Sequence, residues 1–372
     1  MPTCYRPAAM TEADTLLREA LERLVRGEHL DVETARGVMD RVMRGSATPA
    51  QLGAILAALR IRGETVEELT GMVMSMRDHA LRVDLPVDAV DTCGTGGDGS
   101  GTFNISTAAA FVVAGAGCPV AKHGNRAASS RCGSADVLEE LGVAVALSPE
   151  GVRACVEEAG MGFLFAPAFH PAMRHAAAVR SELGIRTAFN ILGPMANPAR
   201  VPYQSLGVGD AALAAKMAGV LLRLGHRHAL VFAGPGGMDE LGLSGVAQCI
   251  EVSAAGLRHF EIDPAALGLR PAPLEALRGG NVHDNAARLR AVLDGEPGPA
   301  RDVVLLNAAA ALWAAERATD LGEGMARARD SIDGGGARRC LDGLVAASTA
   351  AAERDARPRP RRAPDAAGAG GA

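Results

Sequence analysis

Apolar positions early in the chain recur at helical spacing. Leu52, Ile55, Leu56 and Leu59 form one set, and Leu69, Met72, Val73 and Met76 another, each a stripe on one face of a 3.6-residue repeat. Local punctuation agrees: Thr11 with Asp14 and Thr65 with Glu68 have capping-box spacing, and Thr48-Pro49 sets proline at a first helical position. The pattern predicts four short amphipathic helices in a small domain over residues 11–86, which also offers an oligomer contact. Residues 1–10 are expected to be a flexible extension.

From Val87 the pattern changes to short apolar runs that end in glycine and lead into helical stretches. The runs predict strands at Ala89–Thr92, Pro119–Ala121, Val143–Leu147, Gly162–Phe165, Ser205–Val208, Ala229–Ala233 and Gln248–Val252. Helical patterns between many of them imply an α/β domain over 87–355 with a mostly parallel sheet. In such sheets ligands bind beyond the carboxyl ends of the strands. Residues 171–198 interrupt the alternation with helix and turn signals, and are expected to return to the helical domain and form a hinge. Val303–Ala315 reads as a buried helix, with further helices near Gly324–Ile332 and after the Gly334–Gly336 turn. The Arg/Pro-rich and then Ala/Gly-rich stretch 356–372 cannot bury a core and is expected to be a disordered tail.

Composition narrows the class. With 372 residues and 48% hydrophobic content the chain can build a substantial core. Seven scattered cysteines without a CxxC pair suggest neither a disulfide framework nor a zinc site, which fits a reducing cytoplasm. No apolar stretch approaches the roughly 20 residues that span a bilayer, so no membrane partner is expected. A formal net charge of −5 argues against broad binding to nucleic acid. Any anion site must be built locally, and the stretch between Asp98 and Asp136 suits one: it has no acidic residue but contains Lys122, Arg126 and Arg131.

That stretch begins at the run Asp91-Thr-Cys-Gly-Thr-Gly-Gly-Asp-Gly99. A strand running into glycines frees backbone N–H groups to turn onto a phosphate without Cβ obstruction. Gly94, Gly96 and Gly99 also satisfy the dinucleotide spacing GxGxxG, but the next strand ends in Lys122-His123-Gly124 and not in the acid that would hold a ribose. A loop with its own Asp98 and a basic strand end suits a pyrophosphate with a metal better. Thr102-Phe-Asn-Ile-Ser-Thr107 then opens an apolar helix, with more hydroxyl and amide groups than one cap needs. Lys122 is one of two lysines, with Lys216, in a chain that otherwise uses arginine. A position that keeps lysine against that bias wants a compact ammonium.

The motifs DTCGTGGDG, TFNIST, KHGNRAASSRCGSADVLEELG, FAPAFHPAMRHAAAVRSELGIRTAFNILGPMANPA and GMDELGLSG closely resemble the anthranilate phosphoribosyltransferases, in order, over about residues 11 to 350. The resemblance implies a helical domain plus an α/β domain, a homodimer, Mg²⁺, phosphoribosyl pyrophosphate as donor and anthranilate as acceptor. It assigns the donor to Gly94, Gly97, Asp98, Thr102, Asn104, Ile105, Ser106, Thr107, Lys122, His123, Gly124, Asn125, Arg126, Ala127, Ala128, Ser129, Ser130 and Ser134. It assigns Mg²⁺ to Ser106, Asp239 and Glu240, and anthranilate to Gly94, Asn125 and Arg180, with Lys122, Asn125 and Arg180 as the catalytic set. Ala127, Ala128 and Cys132 are small departures within the loops.

Two other readings compete: a pyrimidine nucleoside phosphorylase of the same architecture, which uses phosphate, and a non-catalytic nucleic-acid-binding relative. The adjacent acids Asp239-Glu240 favour the transferase, and the negative net charge disfavours the nucleic-acid binder. Read by itself, the acid pair is a solvated one, Arg180 a surface arginine near Glu182 and Arg186, and His123 a loop-shaping residue. If Lys122 serves the donor and not the fold, Lys122→Ala is expected to leave the melting temperature within about two degrees, as surface changes do.

Overall fold

The computed structural model describes residues 12–127 and 131–356. The expected extension 1–10, the Thr11 cap, the tail beyond 356 and the candidate donor residues Ala128, Ser129 and Ser130 lie outside the described residues.

Four helices open the described chain: α1 (Glu12–Val25), α2 (Val32–Met43), α3 (Pro49–Arg62) and α4 (Val66–Asp78). Their starts follow from local chemistry. Thr48 and Thr65 each accept a hydrogen bond from the amide of the third helical residue while the side-chain oxygens of Gln51 and Glu68 accept one from the cap amide, and Asp31 caps α2. The two apolar stripes are buried.

The chain then alternates. β1 (Val90–Gly94) leads to α5 (Ile105–Gly115), β2 (Val120–Gly124), α6 (Ser134–Glu140), α7 (Pro149–Ala159) and β3 (Met161–Phe165). After α8 (Ala166–Phe169), α9 (Arg174–Leu183) and α10 (Phe189–Leu192) come β4 (Tyr203–Gly207), α11 (Ala211–Arg223) and β5 (His228–Ala233). β6 (Ala247–Ser253), β7 (Gly256–Ile262), α12 (Val282–Leu293), α13 (Pro299–Ala314), α14 (Leu321–Asp333) and α15 (Gly336–Ala356) complete it.

The strands form one sheet in the order β3-β2-β1-β4-β5-β6-β7, with β6 and β7 antiparallel and the rest parallel. The chain winds outward from β1 through β2 to β3, then resumes on the other side of β1 with β4. The switch point thus lies between β1 and β4, whose ends pair at Gly94 and Gly207.

One face of the sheet packs on α5, α13 and α15, and the other on α11. α9 packs on α2 and α3, and α10 and α11 on α4, so Phe189, Leu192 and Met195 share a core with Leu56, Met72, Leu206 and Val231. The helical unit is therefore welded by apolar contact to one sheet face.

Two strand expectations differ. Val143–Leu147 is not a strand. Its alternation is real, with Val143, Val145 and Leu147 buried, but its neighbour is a helix: the Ala144 amide donates to Ser348 Oγ of α15. β7 lacks an apolar run because it is the exposed edge strand, with Leu257, Arg258, His259 and Glu261 open to solvent.

Candidate active site

The carboxyl ends of β1, β4 and β5 converge on the pair Asp239-Glu240. A Cβ at Gly94 would run into the Asp239 carboxylate, one at Gly207 into the Asp239 carbonyl, and one at Gly234 into the Glu240 carbonyl. Three glycines thus open a slot through which the acidic pair reaches the switch point. The Gly96 amide donates to Asp239 Oδ2 at 2.6 Å, and the Asp239 amide to Asp98 Oδ2 at 3.1 Å. Gly96, Gly97, Gly99 and Gly101 all have positive φ, the left-handed backbone that turns successive N–H groups inward.

Helix α5 points its N-terminus into the same slot. Its N-cap Asn104 makes no side-chain cap, and the Ser106 amide donates instead to Glu240 Oε1 at 3.0 Å. Asn104 bonds the Cys132 carbonyl and the Asn285 side chain, so it fixes the loop edge. Ile105 and Thr107 are buried, and the Ile105 amide donates to the Phe103 carbonyl at 2.7 Å.

Lys122 lies beneath, with 2% of its surface exposed. Its ammonium donates to the Thr92 carbonyl and to Ser106 Oγ, and its charge acts on both Asp91 and Glu240. The expectation that Lys122→Ala would behave as a surface change is overturned. Burial extends β2 through Lys122, and its removal would strip counter-charge from two buried carboxylates.

Asp239 and Glu240 are each 8% exposed, which replaces the solvated-pair reading. Burial pushes both carboxyls up, and their mutual repulsion with Asp98 pushes Asp239 further. Burial also acts to raise Asp98, but hydrogen bonds from Ser100 and Asp239 hold it below its ordinary value. Buried acids of this kind fit a hard cation. Among the described residues no three His, Cys, Asp or Glu side chains gather as a metal cluster, so a cation here needs further oxygen ligands. Mg²⁺ has that habit, binding one or two carboxylates together with water and substrate phosphates.

Two cavities flank the loop. One of 460 Å³ is lined by Gly97, Asp98 and Thr102 with Arg131, Arg278 and Asn285. The other, of 370 Å³, lies toward the helical unit, between Gly96-Gly97 and Arg186, Asn190, Arg60 and Lys216. Arg186 donates to the Gly97 carbonyl at 2.8 Å and, at 3.4 Å, to that of Gly96. Arg278, Asn285, Arg186 and Lys216 were missed from sequence. The signal for the first two was Arg278-Gly-Gly-Asn281 before a helix, the same grammar as Lys122-His-Gly-Asn125.

Other candidates take different places. A Cβ on Gly124 would strike Ser134 Oγ, which itself donates to the Asn125 carbonyl at 3.2 Å; Asn125 is exposed. Arg126 is committed to Asp136 and Glu139 and stacks on Phe165, while the Ala127 amide donates to Asp136. Arg180 lines neither cavity. Among the described residues it has no hydrogen-bond or ion-pair partner, its guanidinium lies 5.0 Å from the centre of the Phe189 ring, and burial lowers its pKa. His123 is buried, its ring 5.1 Å from that of His170, and both Nε2 atoms lack a partner. Burial and then the His170 charge push His123 down to about 3, so it is neutral at physiological pH.

The comparisons with known proteins agree with this geometry. Residues 86–338 match the glycosyl transferase family α/β domain, and residues 18–80 its helical bundle domain. An anthranilate phosphoribosyltransferase of Chloroflexus aggregans is 57% identical over 334 residues, 89% of this chain and 98% of the relative. The crystal structure of the Thermus thermophilus anthranilate phosphoribosyltransferase superposes with a TM-score of 0.84 at 46% identity, covering 89% of this chain and 99% of that one. That of Saccharomyces cerevisiae, in complex with PRPP and Mg, gives 0.83 at 27% identity, covering 92% and 100%.

Proposed function

The chain belongs to the anthranilate phosphoribosyltransferase family, and from that premise we propose that it joins the amine of anthranilate to the sugar of phosphoribosyl pyrophosphate. The products are N-(5-phosphoribosyl)anthranilate and pyrophosphate, as tryptophan biosynthesis requires. The observation that carries this reading is the slot at the switch point, where a glycine loop, the α5 N-terminus and Lys122 face the pair Asp239-Glu240.

Displacing pyrophosphate from an anomeric carbon builds positive charge on the sugar and negative charge on the departing oxygens. The N–H groups of Gly97, Asp98, Gly99 and Gly101, with the α5 N-terminus, meet the negative charge without reorganising. Mg²⁺, held by Asp239, Glu240 and Ser106, supplies charge neutralisation on the pyrophosphate. Asp98 positions the loop by holding the Asp239 and Ser100 amides. The acceptor is an aromatic amine, uncharged at neutral pH, so no strong base is needed. His123 is too weak a base to serve as one, and its burial against His170 makes it a wall. Arg180 takes the anthranilate carboxylate, since its guanidinium is partly desolvated and open for a bidentate partner. Asn125 and Gly94 face the same molecule. A homodimer in the cytoplasm completes the proposal; among the described residues no helix is long and apolar enough to cross a membrane.

The deciding experiment follows the loss of anthranilate fluorescence with phosphoribosyl pyrophosphate and Mg²⁺. Turnover is expected with that donor. Phosphorolysis of a pyrimidine nucleoside in its place would make the protein a phosphorylase, and no turnover with either substrate would leave a binding protein.

A further inference from the structure

At the opposite edge of the sheet, where β4 and β5 begin, lies a cavity of 460 Å³. Its wall carries four guanidiniums from four places in the chain: Arg36 of α2, Arg77 of α4, Arg200 ahead of β4 and Arg223 of α11. The one carboxylate in the wall, Asp78, already bonds Arg36 at 2.8 Å and Arg200 at 2.9 Å. Arg223 also pairs with Glu67.

Arg77 is the member that the protein alone leaves incomplete. It is 9% exposed, and its Nε donates to the Met195 carbonyl at 2.9 Å, but neither Nη has a partner among the described residues. Burial, and then the like charge of Arg200, weigh against its charged form. Asp91 is the carboxylate that offsets this, yet it is already bonded to the His123 amide and Asn197. His226 in the same wall is 6% exposed; its Nδ1 bonds the Leu221 carbonyl at 3.2 Å, and its buried Nε2 has no partner. The Nη donors of Arg77 are open to the cavity beside a second guanidinium, where an anion would bond the one and neutralise both.

We propose that this cavity is a second anion site, which takes a phosphoryl group either free or on a small monoester. Guanidinium forks bind oxyanions two bonds at a time, and a tetrahedral phosphate presents oxygens in the several directions from which these arginines come. A planar carboxylate can satisfy fewer of them. The bound anion joins α2 and α4 of the helical unit to Arg200 and Arg223 of the sheet unit.

The test is calorimetric titration of the full chain with inorganic phosphate, with phosphoribosyl pyrophosphate and Mg²⁺ present at saturation to fill the catalytic site. About one phosphate per chain is expected, weakened at least tenfold in Arg77→Gln and in Arg223→Gln. Arg223 is half-exposed, so its variant folds and decides the matter even if Arg77→Gln does not. Binding that disappears once the donor is present, or that is unchanged in Arg223→Gln, overturns the site. Glycerol 3-phosphate run in parallel separates the two sources, since tighter binding than inorganic phosphate marks a monoester and weaker binding the free ion. A tricarboxylate that binds as tightly as either overturns the phosphoryl assignment.

Discussion

At the scale of single residues, burial separates what Lys122 does from what a surface lysine would do. Its ammonium is enclosed by the Thr92 carbonyl and Ser106, with Asp91 and Glu240 as counter-charges. Breaking such a buried set costs about 3 kcal/mol. Lys122→Ala should therefore lower both unfolding free energy and turnover, whereas Lys122→Met, which keeps the volume, should recover packing but not activity. Denaturant titration beside steady-state kinetics checks this; full stability in the alanine variant would refute it. Arg180 makes the opposite case, since no described partner depends on it. Arg180→Ala should leave the melting curve almost unchanged and weaken anthranilate by roughly 2–4 kcal/mol, about 30- to 1000-fold in KM, with donor KM barely moved. Equal losses for both substrates would make Arg180 a hinge residue instead. Its chemistry was legible from the resemblance to the family, but its isolation was not, because ion pairing is decided by neighbours that sequence spacing does not reveal. Glu182 is near in sequence and forms no ion pair with it.

At the scale of elements, the strand ends were legible wherever an apolar run met glycine, because that pattern depends on local backbone freedom. The error at Val143–Leu147 has a tertiary cause: a period of two shows which side chains are buried but not whether a strand lies alongside. The capping of α5 was illegible for a similar reason. Its helix start is rich in hydroxyls, yet the acceptor is Glu240, far along the chain on the loop after β5. That arrangement makes one carboxylate serve both a helix terminus and the proposed cation. Glu240→Gln keeps an oxygen for the Ser106 amide and removes the charge, so α5 should stay capped while the metal is lost. The expected outcome is a near-wild-type melting temperature with a Mg²⁺ requirement raised at least tenfold, and a further rise when Asp239→Asn is added. Chelation should abolish wild-type activity and added Mg²⁺ restore it. An unchanged Mg²⁺ requirement in the double variant would take the pair out of the metal site.

At the scale of the whole molecule, the helical unit and the sheet share apolar core, and the polar groups caught along their junction govern the response to acid. His123 and His170 meet at a tilt where β2 ends and the 171–198 segment begins, and His226 lies at the other edge of the sheet. Burial is the largest cause in each case, and it pushes them down to about 3, 4 and 3 respectively. The unfolded chain, with histidines near 6.5, therefore binds more protons below that pH than the folded one, so stability falls with acid. Each histidine contributes about 1.4 kcal/mol per pH unit between its unfolded and folded values. Asp91 opposes them: burial raises it to about 6, so the folded state takes up its proton first as the pH falls from there toward 4. Asp239 and Glu240, which burial also raises, oppose the histidines in the same sense, so three histidines stand against three carboxyls and these groups nearly cancel between pH 6 and 4. The histidine share is read by difference, from unfolding free energies measured by denaturant at pH 7, 6 and 5 in phosphate-free buffer for the wild type and for His226→Gln. Below pH 6 His226→Gln, remote from the catalytic loops, should lose about 1.4 kcal/mol less stability per pH unit than the wild type, one histidine's share. A variant slope equal to that of the wild type would show that His226 is protonated in the folded protein and that the junction opens to water there.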